Sequence, residues 1–108
     1  HQWCKIGDHA MIQGGSLVHQ NVPPFITMRD TGSYAGINKI GLQRRGFTSE
    51  QLEAIHNAYR IIFQSDLNFT NACNEVENTL PQSPERDYIL EFVRESLGGR
   101  GVIKKYGR

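Results

Sequence analysis

Arg44 and Arg45 stand side by side between Gly41 and Gly46, in the segment Gly36-Ile37-Asn38-Lys39-Ile40-Gly41-Leu42-Gln43-Arg44-Arg45-Gly46-Phe47. Guanidinium forks grip phosphate oxygens bidentately, and glycines let a backbone approach a bound anion closely. The pattern suits the binding of phosphate or pyrophosphate just ahead of a helix. On composition alone, a solvated arginine pair flanking that helix is the simpler account.

Other reactive side chains make weaker patterns. Cys4 and Cys73 lack metal spacing and read as reduced cytosolic thiols, not as a disulfide framework. No arrangement of His, Cys and Asp suggests a metal site. Asn68-Phe69-Thr70 matches a glycosylation sequon that a cytosolic protein would not use. Gly98-Gly99-Arg100-Gly101 could pass for a phosphate loop, but no strand precedes it, and a helix C-cap explains it better. His56 lies beside the apolar stripe of a helix, where a structural role is expected.

The elements that position these residues begin with a repeat. Ile6, Ile12 and Val18 stand six apart, and Cys4, Ala10, Ser16 and Val22 share the beat. Helices repeat near 3.6 residues and flat strands at 2, so a period of six implies a chain coiling as a solenoid. The large aliphatic side chains should point into the coil. His9 and His19 fall outside both registers and should face solvent. The repeat leaves room for little more than one triangular turn of three hexads, fewer than the three or so repeats a solenoid needs. With no initiator Met at its start, the chain reads as the C-terminal piece of a longer protein.

Pro23-Pro24 should end the hexads, because neither residue can donate to a further strand. Residues 25–47, with Gly32, Gly36, Gly41 and Gly46, read as a long ordered, ligand-binding loop in which only Phe25-Ile26-Thr27 looks strand-like. Three helices follow. Thr48 and Gln51 form a capping box ahead of Leu52, Ile55, Tyr59 and Ile62, and that helix should end near Gln64. Asn68 caps a second helix with Phe69, Ala72, Cys73, Val76 and Leu80 on its apolar side, stopped by Pro81. Ser83 and Pro84 open a third, with a stripe of Tyr88, Ile89, Phe92, Val93 and Leu97 and an end at Gly98-Gly99. The expected division is residues 1–24 as coil, 25–47 as loop and 48–108 as a helical domain with a basic tail.

At 108 residues, 38% hydrophobic and 21% charged, the chain fits one soluble domain or a domain plus a fragment. No apolar run approaches the ~18 residues of a membrane span. Residues 1–47 carry five basic and two acidic side chains, residues 48–97 three basic and nine acidic, and the last eleven four basic. A weakly basic front half suits an anionic small ligand or an acidic partner. It is too weak for general nucleic-acid binding, and no aromatic residues interleave with the basic ones.

The order of these features closely resembles the UDP-N-acetylglucosamine O-acyltransferase family of lipid A biosynthesis. Hexads come first, then Val22-Pro23-Pro24-Phe25, Gly36-Ile37-Asn38, Gly41-Leu42-Gln43-Arg44-Arg45-Gly46-Phe47 and a helical C-terminus. The resemblance extends over essentially the whole chain, and His1-Gln2-Trp3-Cys4 adds to it. It implies an α+β fold: the terminal coil of a left-handed parallel β-helix of hexapeptide repeats, followed by a three-helix C-terminal domain. It also implies a cytoplasmic homotrimer that moves a 3-hydroxyacyl chain from acyl carrier protein to the 3-hydroxyl of UDP-N-acetylglucosamine. No resident cofactor is implied, since phosphopantetheine arrives on the carrier.

The same resemblance assigns roles. His1 matches a histidine supporting acyl transfer, and the general base lies outside this chain. Gln2 matches a glutamine beside the sugar nucleotide. Asn38, Arg44 and Arg45 match polar residues near the nucleotide or the phosphopantetheine arm. Gly14 matches the acyl-chain ruler, where a side chain would shorten the acceptable acyl group. Ile40 stands where some relatives carry glutamate. A non-catalytic module for trimerisation or carrier docking, or an acyltransferase of another sugar nucleotide, are the alternatives.

Overall fold

Parallel pairing at a constant offset carries the chain through its first turn. Ile6 bridges Val22, and strand β1 (Met11–Ile12) pairs with β2 (Ile26–Arg29) as Met11 with Thr27 and Ile12 with Met28. Every partner lies 16 residues on (22 − 6, 27 − 11, 28 − 12). The turn is therefore two residues shorter than the three hexads expected of it. The computed structural model describes residues 4–14, 18–29, 32–99 and 101–103.

Pro23-Pro24 does not end the coil. The two prolines form a corner, where the missing N–H groups have no ladder to serve, and β2 follows at once. Phe25 restores the pairing by donating its N–H to the Asp8 carbonyl at 2.9 Å. The stretch expected as a loop is also structured. β3 (Ser33–Ile37) runs antiparallel to β2, completing a three-stranded sheet in the order β1-β2-β3, and helix α1 (Lys39–Arg44) follows. Between the pairs Ile26–Ile37 and Met28–Tyr34, β3 spends one residue more than β2. Gly36, at φ 102°, lies within that bulge, a position a side chain would strain.

Capping decides where the longer helices start. The Thr48 hydroxyl accepts from Gln51 N and the Gln51 side chain accepts from Thr48 N, opening α2 (Ser49–Gln64). Asn68 Oδ1 accepts from Asn71 N ahead of α3 (Phe69–Thr79). Ser83 does the same for Arg86 N ahead of α4 (Pro84–Leu97), which stops at Gly98. All three caps match the sequence reading.

The core sits between α2 and everything else. Ile55, Ala58, Tyr59, Ile62 and Phe63 are buried against α3, α4 and β3, with Val22, Ile26 and Met28 joining from the coil. Tyr34 stacks on Phe63 with ring centroids 4.3 Å apart. The Tyr59 hydroxyl donates to the Pro24 carbonyl at 2.6 Å, pinning the proline corner to α2.

Three expectations need correction. Leu97 is exposed, whereas Leu90 and Ser96 are buried, so α4 is turned from the expected stripe to aim Ser96 at Asn21. His9 is not solvent-facing: it is half-buried, with its ring stacked on Phe25 and edge-on to Phe47. Of the aliphatic register, Ile12 and Val18 are partly buried but Ile6 is 51% exposed, and the fully buried residue is Val22 of the compact register. The tail also has structure: Val102 bridges Asn21 in parallel, and Val102 and Ile103 are buried.

Two stability effects should follow. Tyr59→Phe leaves the buried Pro24 carbonyl without its donor, so the urea midpoint should fall by the equivalent of about 1–3 kcal/mol. An unchanged midpoint would show that another donor replaces it. Burial pushes the Tyr59 hydroxyl well above its ordinary pKa and Tyr34 up to about 12. Folded protein keeps these protons where unfolded chain loses them, so stability is whole below about pH 10 and declines above it. Thermal melts across that boundary should show the decline, less steeply in Tyr59→Phe.

Candidate functional site

An open cleft of about 820 Å³ lies between the coil and α1. That volume falls within the range of small-molecule sites. Ala10, Met11 and Ile12 form one wall, Thr27 and Ile37 belong to the sheet, and Asn38, Lys39, Ile40, Gly41, Arg44 and Arg45 form the facing wall. The cleft joins an apolar surface to a row of cations. Met11 and Ile40, 51% and 66% exposed, are large apolar side chains left open to it.

Asn38 is the best-anchored polar residue here. Its N–H donates to the Phe25 carbonyl at 2.7 Å, and its Nδ2 donates to the His9 carbonyl at 3.0 Å. Those two carbonyls belong to the coil's paired corners. His9 and Phe25 are also 16 residues apart (25 − 9), and both take left-handed backbone, with φ 60° and 71°. A phenylalanine at positive φ is a genuine outlier that its surroundings must enforce. Here the Asp8 carbonyl and Asn38 N–H bracket it, and its ring meets His9, Phe47 and Tyr88 within about 6 Å. Tyr88 closes the corner by accepting from Asp8 N at 3.2 Å.

The arginines lie at the carbonyl end of α1. Arg44 is in its last turn and Arg45 is its C-cap. Cations at this end favour the helix dipole, which gives both a structural role independent of any ligand. Arg45 Nη1 reaches the Gly41 carbonyl at only 3.4 Å, and both side chains are exposed. Their guanidiniums remain accessible to an anion in the cleft.

Asn38, Arg44 and Arg45, singled out from the sequence, thus converge on one cleft. Gly14 is not among its lining residues. It follows β1, has backbone outside the left-handed region, and a Cβ there would meet nothing within 4 Å. Neither conformation nor crowding requires glycine at that position. His1 and Gln2 lie outside the described residues. Sequence reasoning passed over Lys39, a third cation of the wall, although it sits inside the motif. It also missed His9, whose contribution is a backbone carbonyl at a corner and has no signature in residue type.

A smaller cavity of about 300 Å³ between α2 and the α3–α4 link includes Arg86. That guanidinium is already committed to the Leu80 and Glu77 carbonyls and to Asp87. Its bonds to Asp87, with help from Gln82, hold the Asp87 carboxyl below its ordinary pKa. Among the described residues no group of three or more His, Cys, Asp or Glu could hold a metal ion, and no helix is long and apolar enough to cross a membrane.

Comparison with known proteins points to one family. A family model described as UDP N-acetylglucosamine O-acyltransferase, domain 2, matches residues 21–103. An acyl-[acyl-carrier-protein]–UDP-N-acetylglucosamine O-acyltransferase of Chlorobaculum tepidum is 49% identical over 88 residues, 80% of this chain and 33% of that protein. The protein of the same name from Myxococcus xanthus is 36% identical over 100 residues, 92% of this chain and 39% of that one. Among solved structures, a UDP-N-acetylglucosamine acyltransferase from Bacteroides fragilis superposes with a TM-score of 0.91 at 50% identity, covering 96% of this chain and 40% of that one. The Arabidopsis enzyme gives 0.89 at 35% identity, with similar coverage. The chain thus spans between a third and two fifths of the length of these relatives.

Proposed function

The chain belongs to the UDP N-acetylglucosamine O-acyltransferase family, and on that premise we propose that it is the C-terminal part of an enzyme of lipid A synthesis. That enzyme moves a 3-hydroxyacyl chain from acyl carrier protein to the 3-hydroxyl of UDP-N-acetylglucosamine. The observation that carries the reading is the convergence of Asn38, Arg44 and Arg45 on one amphipathic cleft. A sugar nucleotide or a phosphopantetheine arm brings the phosphate that such cations hold.

In this reading, residues up to β2 are the last coil of a left-handed parallel β-helix of hexapeptide repeats, and α2 to α4 form the helical cap. The parallel pairing at constant offset supports the first part. Whole protomers assemble as a cytoplasmic trimer with clefts at subunit boundaries, which accords with the exposed Met11, Ile40 and Ile6.

The chemistry divides between this chain and the rest of the protein. A general base outside the chain takes the proton of the sugar 3-hydroxyl, which attacks the thioester carbonyl, and the carrier's thiol leaves. Backbone N–H groups near the thioester stabilise the developing oxyanion. Here Arg44, Arg45 and Lys39 hold phosphate and Asn38 orients the bound group. His1 and Gln2 support the reacting end, and Gly14 keeps the acyl groove open. No resident cofactor is called for.

Two substitutions in the full-length enzyme test the reading. Arg44→Ala should raise KM for the sugar nucleotide or the acyl carrier protein at least tenfold, equivalent to about 1.4 kcal/mol. Arg44→Lys should recover part of that loss, because charge persists while the bidentate fork is gone. Unchanged kinetics with both substrates would return the arginine to its helix-end role. Gly14→Met should shift preference towards shorter acyl chains, measured by competition between carrier-bound acyl groups of different length. Equal selectivity in a folded mutant would sink the ruler.

A further inference from the structure

The fold does not explain why residue 41 is glycine. Gly41 sits inside α1 with backbone outside the left-handed region, so alanine could adopt its conformation and would favour the helix more. What stands against a side chain is one neighbour. A Cβ at Gly41 would lie 2.6 Å from Asn38 Nδ2, 2.8 Å from its Oδ1 and 3.0 Å from its Cγ. The three nearest atoms all belong to a single carboxamide.

That carboxamide is fixed from the other side. Its Nδ2 donates to the His9 carbonyl at 3.0 Å, and a carbonyl can only accept, so the orientation of the amide is settled by chemistry. No donor among the described residues reaches Oδ1, which stays available as an acceptor beside the cleft. The His9 carbonyl is itself held, since its residue is left-handed and its ring is packed by Phe25 and Phe47. Swinging the carboxamide away to admit a Cβ would break the bond to His9.

We infer that Gly41 is a positioning residue: by leaving out its side chain it seats the Asn38 carboxamide against the His9 carbonyl, with Oδ1 presented to a ligand N–H or O–H. The inference deepens the reading of this cleft as a substrate site and rests on it. Asn38 touches the ligand, and Gly41 acts only through Asn38. The arrangement sets helix stability against ligand binding, so the two should respond in opposite directions.

The experiment is a double-mutant cycle in the full-length enzyme, with Asn38→Ala, Gly41→Ala and both together. Gly41→Ala should raise KM at least fivefold for the same substrate that Asn38→Ala weakens, with kcat less affected and Tm no lower than in the parent. In the Asn38→Ala background, Gly41→Ala should change KM no further. An equal fold-change in both backgrounds, or a lowered Tm with KM unchanged, would overturn the inference. Should Gly41→Ala fail to fold, a folded double mutant supports the clash with Asn38, and an unfolded one overturns it. Normal KM in Gly41→Ala beside an impaired Asn38→Ala refutes positioning and leaves the site standing. Normal KM for both substrates in Asn38→Ala removes the site and the inference together.

Discussion

One buried residue, Asn21, ties Lys5 of the coil, α4 and residues 101–103 together. Asn21 is 5% exposed, yet it uses every polar group it has. Its backbone N–H donates to the Gly101 carbonyl and its own carbonyl accepts from Ile103 N. In the side chain, Oδ1 accepts from Lys5 N at 2.8 Å and Nδ2 donates to Ser96 Oγ at 2.9 Å. The coil and α4 meet at this carboxamide and residues 101–103 at the same residue's backbone. A buried polar group left unpaired costs about 1–3 kcal/mol, so none of the three can move off without leaving such a group behind. The rotation of α4 follows from this. Ser96 must face inward to reach Asn21, and Leu97 is turned outward by the same rotation.

A second polar contact passes that order on to the cleft. Tyr59, at the centre of α2, holds the Pro24 carbonyl, and the next residue is the left-handed Phe25. Phe25 accepts from Asn38 N, so the residue that opens α1 is placed by a corner that α2 anchors. Gly7 completes the constraint. A Cβ there would lie 2.4 Å from Pro24 N, so the coil above the corner can approach only as glycine. Strain at Phe25, of order 1–3 kcal/mol for such a conformation, is sustained by packing on both sides.

What was legible in the sequence was local. Thr48 with Gln51, Asn68, Ser83 with Pro84 and Gly98 each act within a few residues, and all stand where their chemistry puts them. What failed depends on partners far along the chain. β2 shows in the sequence only as Phe25-Ile26-Thr27, and β3, with Gly32 before it and Gly36 within it, exists because β2 offers it an edge, which no local pattern announces. Two prolines look like a stop because a strand needs N–H donors, whereas a corner does not. The register of His9 points to solvent, whereas its φ of 60° turns it onto Phe25 and Phe47. The site divided in the same way. The glycine–arginine motif marks Arg44 and Arg45 and the family resemblance adds Asn38, while the carbonyl holding Asn38 comes from 29 residues earlier (38 − 9).

On the proposed reading, the cations of α1 carry two roles whose demands differ. At the carbonyl end of a six-residue helix they help an element too short to persist unaided. For an anion they must be free to turn into the cleft. The geometry favours the second demand: the Arg45 contact to Gly41 is long, and both guanidiniums are exposed. Little is lost when they leave the helix end, and the anion restores their charge pairing. The acidic helices sharpen the contrast, since residues 48–97 hold nine carboxylates against three basic side chains. On the proposed reading, a phosphate is repelled by the acidic helices and attracted at one edge, which would guide it to the wall where Asn38 is already set.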